Sequence, residues 1–453
     1  MNGNKIFYAL ILAGIISLFP NINLYEFRGE ESLRVIVAYE MQDSGDYLQP
    51  HFLGDLYFNK PPLFNWLIVA SSKFIPWSEL TARIVTIFSL FLTVLLIYFF
   101  SQKLFQNKKL SLLAGLIYIT FIDILFWYGY LAEIDVTLAF FVFLMFILQY
   151  VGYFERKAYL ILLSGLVAGL AFLLKGFPAY VFWGLTFITF IIYKKNWKDL
   201  INLYLWTSGI IALLVPALWI LNTDNPNLYL QKLLIESLIR TKGSSNILKL
   251  FGHFLTYPLL NFKQLLPASF IVLLILVTAY RRKIKVVIPS EIKILLLTAF
   301  INYIPYFLAV HSRGRYVIPL FPVIAIIFAY LIVNTGKEKW VKITVWTASI
   351  LIALRFLLGF VGFPILMEKK ASRKRAAYDI AETIDLSKKI ACDCKREKSV
   401  CVYLDFMKGK ALKTSRYIPD WDYVIDCSKQ NRGKLIKSYD LHGRILKLYQ
   451  REK

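Results

Sequence analysis

Three short stretches place residues able to do chemistry inside an otherwise apolar chain. Glu30-Glu31 open a polar run to Pro62 that also holds Arg34 and Tyr57 and ends in Lys60-Pro61-Pro62, a cation on a stiff backbone because proline fixes φ. Glu133-Ile134-Asp135 sits directly before the apolar run VTLAFFVFLMFIL. An ionisable group entering such a span costs roughly 2.5–3.5 kcal/mol, so Asp135 is expected to face a cavity or a partner. His311-Ser312-Arg313-Gly314-Arg315-Tyr316 sets two guanidinium groups beside a phenol, and Lys175-Gly176 separates two further apolar runs. Arginine forks and lysine point charges both suit phosphate. Glu30, Glu31 and Asp135 suit a general base, or could hold a divalent metal ion; the residue types alone do not choose. The expected chemistry is on an anionic substrate carried by a membrane lipid. The blander readings are a solvated interface for Glu30-Glu31 and interfacial snorkelling for Lys175.

The elements that must position these residues are membrane helices. The chain has 453 residues, 58% of them apolar and 18% charged. Apolar runs of about 18 residues or more recur, the length that crosses a hydrocarbon core. The fold class expected is an all-α polytopic membrane protein of about eleven transmembrane helices, up to thirteen, with a small soluble α/β module at the C-terminus. The spans fall at Ile6–Leu24, read as a retained helix since no small-residue cleavage site follows it, and at 80–101, 110–128, 134–153, 158–174, 177–193, 202–221, 264–280, 291–310, 316–333 and 341–363. This gives a membrane domain over 1–364, with an outer-face loop 25–79, and a soluble domain over 365–453.

The net charge is +24. Loops around Lys108, Arg156, Lys194, Arg281 and Lys337 concentrate Lys and Arg on one side, which the positive-inside rule makes cytoplasmic. Glu30–Pro62, Tyr130–Asp135, a long loop 222–262, His311–Arg315 and the tail then fall on the other side. For a bacterial chain that is the periplasmic face of the inner membrane. The remaining positive charge reads as attraction to anionic membrane lipid; no recognition motif accompanies it, so nucleic acid is not an expected partner. Cys392, Cys394, Cys401 and Cys427 all lie in the tail, and an extracytoplasmic tail would allow disulfides of undetermined connectivity. The tail is expected to hold a helix over Lys374–Lys389 and strands at Val400–Leu404, Tyr423–Asp426 and Ile445–Tyr449. His51, His253 and His311 share only a side, so zinc has little support. Walker A, G-x-G-x-x-G and H-E-x-x-H patterns are absent, which turns attention to a donor already activated in the membrane.

These motifs resemble the GT-C glycosyltransferases that use polyprenyl-phosphate sugars, specifically the dolichyl-phosphate-mannose protein mannosyltransferase group and, within it, bacterial aminoarabinose transferases that modify lipid A. Glu30-Glu31 through Glu40-Met41, Gly45-Asp46-Tyr47-Leu48-Gln49-Pro50, Tyr57-Phe58-Asn59-Lys60-Pro61 and Ser78–Arg83 carry the likeness. Asp135, Leu174-Lys175-Gly176 and Arg315-Tyr316-Val317-Ile318-Pro319 follow in the family's order. The resemblance implies catalytic acids at Glu30 and Asp135, with Glu31 beside them. It implies donor-phosphate contacts from Lys60, Arg34, Arg315, Tyr316 and Tyr57, and substrate contacts from Arg83, Lys175 and Arg313. It implies an undecaprenyl-type phosphate donor of aminoarabinose or another pentose or hexose, and an outer-face acceptor, lipid A or protein. Glu30 for Asp, Leu33-Arg34 for Arg-Tyr and Asn59 for Glu depart from the pattern. The alternatives are a protein O-glycosyltransferase of the mannosyltransferase type and a non-catalytic transporter of lipid or solute.

Overall fold

The computed structural model describes residues 3–241, 247–370, 372–428 and 430–452. Residues 242–246 of the expected loop 222–262, and the last residue of the tail, lie outside the described residues. In chain order the helices begin with α1 (Gly3–Ile16), α2 (Glu30–Ser44), α3 (Leu63–Ser72), α4 (Glu79–Phe105), α5 (Lys108–Thr120) and α6 (Ile134–Phe154). Next come α7 (Ala158–Lys175), α8 (Pro178–Lys194), α9 (Leu203–Leu221), α10 (Pro226–Thr241), α11 (Ile247–Gln264) and α12 (Ala268–Arg281). The last are α13 (Ser290–Leu308), α14 (Phe321–Asn334), α15 (Lys337–Leu357), α16 (Phe363–Lys370), α17 (Ser372–Thr383) and α18 (Lys398–Lys408). The strands are β1 (His51–Phe52), β2 (Asp55–Leu56), β3 (Ile390–Asp393), β4 (Tyr423–Asp426), β5 (Lys434–Asp440) and β6 (Ile445–Gln450).

Among the described residues seven helices are long and apolar enough to cross a membrane, or eight if α11 and α12, bent by 105° at their junction, form one span. The count of eleven is not confirmed. The first run forms a helix only to Ile16, and the run over 110–128 breaks at Thr120 into α5 and a π-turn at Ile124–Tyr128. The run over 177–193 makes a helix of 17 residues, at the lower end of the length that spans a membrane. Hydropathy registers these segments as apolar but does not see where the backbone stops being helical. The polytopic all-α class holds.

The chain divides into two compact units. The first comprises Met1–Pro20, Asn59–Pro61 and Thr86–Leu357. In it α7 packs against both α6 and α9. The α7–α9 contact needs Gly165 and Gly169, spaced as G-x-x-x-G. A Cβ at Gly165 would stand 2.1 Å from the Ser208 carbonyl oxygen, and one at Gly169 3.0 Å from that of Ala212. Small residues let membrane helices approach this closely.

The second unit comprises Asn21–Phe58, Pro62–Val85 and Leu358–Lys453. Its sheet runs β3-β4-β6-β5, with β3 and β4 parallel and the remaining pairs antiparallel. Two expected strands are found, at Tyr423–Asp426 and within Ile445–Gln450. The expected strand at Val400–Leu404 is instead the middle of α18. Its β-branched and aromatic residues suit a strand locally, but tertiary context decides, as it often does for β propensity. Tyr403 reaches the Phe27 amide at 2.8 Å and Glu79 at 2.9 Å from a helical position, and Gly409, at φ 70°, ends the helix. Disulfides join Cys392 to Cys401 and Cys394 to Cys427.

Candidate active site

In the first unit, helix ends converge on one cleft. Asp135 lies in the first turn of α6, where the helix dipole favours an anion, and Lys175 is the last residue of α7, where it favours a cation. Since α6 and α7 pack together, the two side chains meet: the Lys175 ammonium donates to an Asp135 carboxylate oxygen. Gly176, at φ 80°, then turns the chain into α8. Arg315 and Tyr316 come from a 3-10 turn over Gly314–Leu320. The Arg315 guanidinium lies 2.5 Å from Glu133 and 3.8 Å from Asp135, and the Lys175 ammonium sits 4.9 Å above the Tyr316 ring. Lys60 bonds Glu236 of α10 at 2.6 Å, and the Tyr229 hydroxyl donates to the Lys60 carbonyl at 2.8 Å.

Lys60, Lys175, Glu236, Tyr306 and Tyr316 line a cleft of about 880 Å³, part of it open to solvent, whose other walls include Leu138, Phe177, Val181, Leu233 and Pro305. A cleft with apolar walls and two lysines in its lining can hold a hydrocarbon chain and grip an anionic head. Each cation already faces a carboxylate, so an arriving phosphate competes with Glu236, Asp135 and Glu133 and finds a preorganised field instead of bare charge. The sequence stretches at Lys60, Asp135, Lys175 and Arg315-Tyr316 are therefore brought together. Glu236 escaped the sequence reading. The sequence marks it only as the one acid of the stretch that becomes α10, with nothing to name its partner. Arg313 is not among the residues lining the cleft; its carbonyl accepts from the Tyr257 hydroxyl at 3.3 Å.

Glu30, Arg34 and Tyr57 meet in the second unit. Arg34, almost fully buried on α2, donates to Glu30 at 3.2 Å and to the Tyr57 hydroxyl at 3.0 Å. Glu30 is 44% exposed, whereas its neighbour Glu31 is buried and held by both forks of Arg83 at 2.9 and 3.0 Å. Among the described residues no group of three His, Cys, Asp or Glu side chains comes together as a metal cage.

A second acid of α2, Glu40, accepts from the Leu53 amide and, at 3.1 Å, from that of Gly54. These two residues, at φ 54° and 84°, form the tight turn between β1 and β2. Burial pushes the Glu40 carboxyl up to about 7, while the two amides hold it down. Asp405 is also raised, by burial first and then by Glu40 and Asp43, against the Leu412 amide. A group whose pKa is higher folded than unfolded contributes stability that is full below the unfolded value, here 4.5, and is lost as pH rises through about 7. Melting temperature is therefore expected to fall between about pH 5 and about pH 8, and to fall less steeply in Glu40→Gln. Identical slopes for the two proteins would show that Glu40 does not titrate in this window.

The architecture, many apolar helices with a small C-terminal sheet, is similar to that of GT-C glycosyltransferases. The particular likeness is to crystal structures of ArnT from Cupriavidus metallidurans, one bound to undecaprenyl phosphate and one in the apo state. Each matches at a TM-score of 0.72, covering 98% of this chain and 97% of that one at 14% identity, so the match speaks for the fold. In sequence, residues 59–221 match the family described as dolichyl-phosphate-mannose-protein mannosyltransferase. The undecaprenyl phosphate-alpha-4-amino-4-deoxy-L-arabinose arabinosyl transferase of Pseudomonas paraeruginosa is 30% identical over 226 residues, 49% of this chain and 41% of that protein. A similarly named protein of Sodalis glossinidius is 30% identical over 176 residues, 38% of this chain and 32% of its own length. The chain thus spans about two fifths or less of the length of these curated relatives. The resemblance to polyprenyl-phosphate-sugar transferases is borne out. The family match takes in Lys60, Asp135 and Lys175, while Arg315 and Tyr316 join them through the fold.

Proposed function

We propose that this chain is an integral membrane glycosyltransferase that moves a sugar from a polyprenyl monophosphate to an acceptor on the outer face of the bacterial inner membrane. The observation that carries the reading is the cleft, whose apolar walls suit an isoprenoid chain and whose lining includes Lys60 and Lys175 to face its phosphate, with Arg315 near Asp135, the partner of Lys175. Two of the relatives' names contain undecaprenyl phosphate-aminoarabinose, which makes that donor the first to test. The outer-face placement draws support from the loop charges and from the paired cysteines, since disulfides persist in oxidising compartments.

As the bond between the anomeric carbon and the phosphate oxygen breaks, the electron pair leaves with the lipid phosphate. Lys60, Lys175 and Arg315 stabilise that charge, and Tyr316 supports Lys175 through its ring face. Asp135, held by Lys175 and Arg315, orients the acceptor. A lipid A phosphate is already anionic and needs no base; a protein hydroxyl needs one. Of the two acids that the resemblance assigns to the acceptor, Asp135 pairs with Lys175 of the cleft wall and Glu30 is beside Arg34 in the second unit. Intact spheroplasts given a labelled phosphoglycolipid outside should attach sugar to it only when this chain is present, and should consume the lipid donor. Absence of transfer to phosphoglycolipid and protein alike, with donor intact, would sink the reading.

A further inference from the structure

A second cavity, of about 900 Å³ with part of it open to solvent, lies within the second unit and shares no residue with the donor cleft. Six cations line it: Arg28, Lys370, Arg373, Arg396, Lys398 and Arg444. Its one carboxylate, Glu397, is buried and already shared, by Arg373 at 2.6 Å and Arg444 at 2.7 Å. Arg373 also reaches Glu26, at 3.2 Å. Arg28, Lys370, Arg396 and Lys398 enter no ion pair among the described residues.

Four like charges around one cavity repel one another, and a solvated surface would let them turn away. Two features argue against that. The Arg28 side chain is held over the Tyr25 ring at 4.8 Å, and its buried Nε has no hydrogen-bond partner. Lys398 opens α18, so the helix dipole adds positive potential at the same place. Its ammonium is held below the ordinary lysine value by burial, with Glu30 pulling it back up and Arg34 pushing it down. The backbone leaves room as well: a Cβ at Gly29 would meet nothing within 4 Å. His442 also faces the cavity, with Nε2 3.3 Å from the Lys370 carbonyl, and adds charge when protonated.

We infer that this cavity is a second anion site, built by Arg28, Lys370, Arg396 and Lys398 to take a phosphoryl group separately from the donor cleft. Guanidinium forks and ammonium donors match phosphate oxygens, and phosphate supplies the two or more negative charges that four cations call for. The group can arrive on a lipid headgroup or as a free ion.

The test uses the full chain in nanodiscs of phosphatidylcholine. Inorganic pyrophosphate is titrated by calorimetry, and phosphatidic acid retained by the protein is counted by native mass spectrometry. Arg396→Ala/Lys398→Ala removes two charge-assisted contacts and is expected to weaken binding about a hundredfold. Lys60→Ala, in the other cleft, should leave this binding within about twofold. Should the double variant fold poorly, Lys370→Glu, at the exposed end of α16, gives the same reading. Binding of pyrophosphate makes the site one for free phosphates, and retention of phosphatidic acid alone makes it a headgroup site. The inference fails if neither probe binds, if the tail variants bind like the wild type, or if only Lys60→Ala loses binding.

Discussion

Lys60→Ala should lower sugar transfer by roughly 10²–10³ while leaving the helices folded, since one preorganised contact to a developing charge is worth about 2.7–4 kcal/mol. The contact in question is between the Lys60 ammonium and the departing lipid phosphate. Two linked variants separate this from a simple loss of charge balance. Lys60→Ala leaves Glu236 facing the cleft, where it would itself repel a phosphate. Adding Glu236→Gln should therefore restore part of the donor affinity but little of the rate. Glu236→Gln alone releases Lys60 from its carboxylate, and the donor should bind as tightly or more tightly. Lys60→Arg keeps the charge but presents a wider planar group in place of a compact one, so partial activity is expected. A Lys60→Ala protein with unchanged rate and donor affinity would remove Lys60 from the site.

The sequence made this cleft readable in pieces. Asp135 could be noticed because an acid directly before the run VTLAFFVFLMFIL, apolar but for Thr137, is costly, and Lys175 because it interrupts two apolar runs. Their meeting depends on α6 and α7 being antiparallel neighbours, which a short loop between two spans already suggests. Glu236 was not readable, because its partner is 176 residues away and only packing brings them together. The same limit explains Val400–Leu404. Three strand-favouring residues, Val400, Val402 and Tyr403, sit in a helix because the Cys392–Cys401 bridge and the bonds of Tyr403 belong to the tertiary structure. The count of eleven spans goes unconfirmed where helices break at Thr120 or bend between α11 and α12, since hydropathy is blind to both. Glu30-Glu31 is the opposite case. The pair was visible at once, but nothing in the sequence says which acid turns inward.

The structure answers that with burial, and the largest stability effect follows from it. Arg83 is fully buried; besides Glu31 it donates to the carbonyls of Ile22 and Tyr25, both at 2.7 Å, and of Glu26 at 3.3 Å. Arg83→Ala takes the guanidinium away from the buried Glu31 carboxylate, which keeps the Arg28 amide at 3.3 Å, and leaves three carbonyls without that donor. Breaking one side of a buried pair costs about 3–5 kcal/mol, so the variant should melt many degrees lower or fail to accumulate. Arg83→Lys should fall between, because an ammonium cannot span a carboxylate and three carbonyls at once. Glu31→Gln keeps one acceptor oxygen and should cost less than Arg83→Ala. Glu30→Gln, at a half-exposed i,i+4 pair, should change stability by under about 1 kcal/mol. Measuring turnover per folded molecule beside melting temperature then separates the two acids. If Glu31 is the positioning acid, its variant loses stability and keeps turnover, while the Glu30 variant does the reverse. A Glu31→Gln protein with normal melting and lost turnover would exchange the roles, making Glu31 the reacting carboxylate and Arg83 its counter-ion.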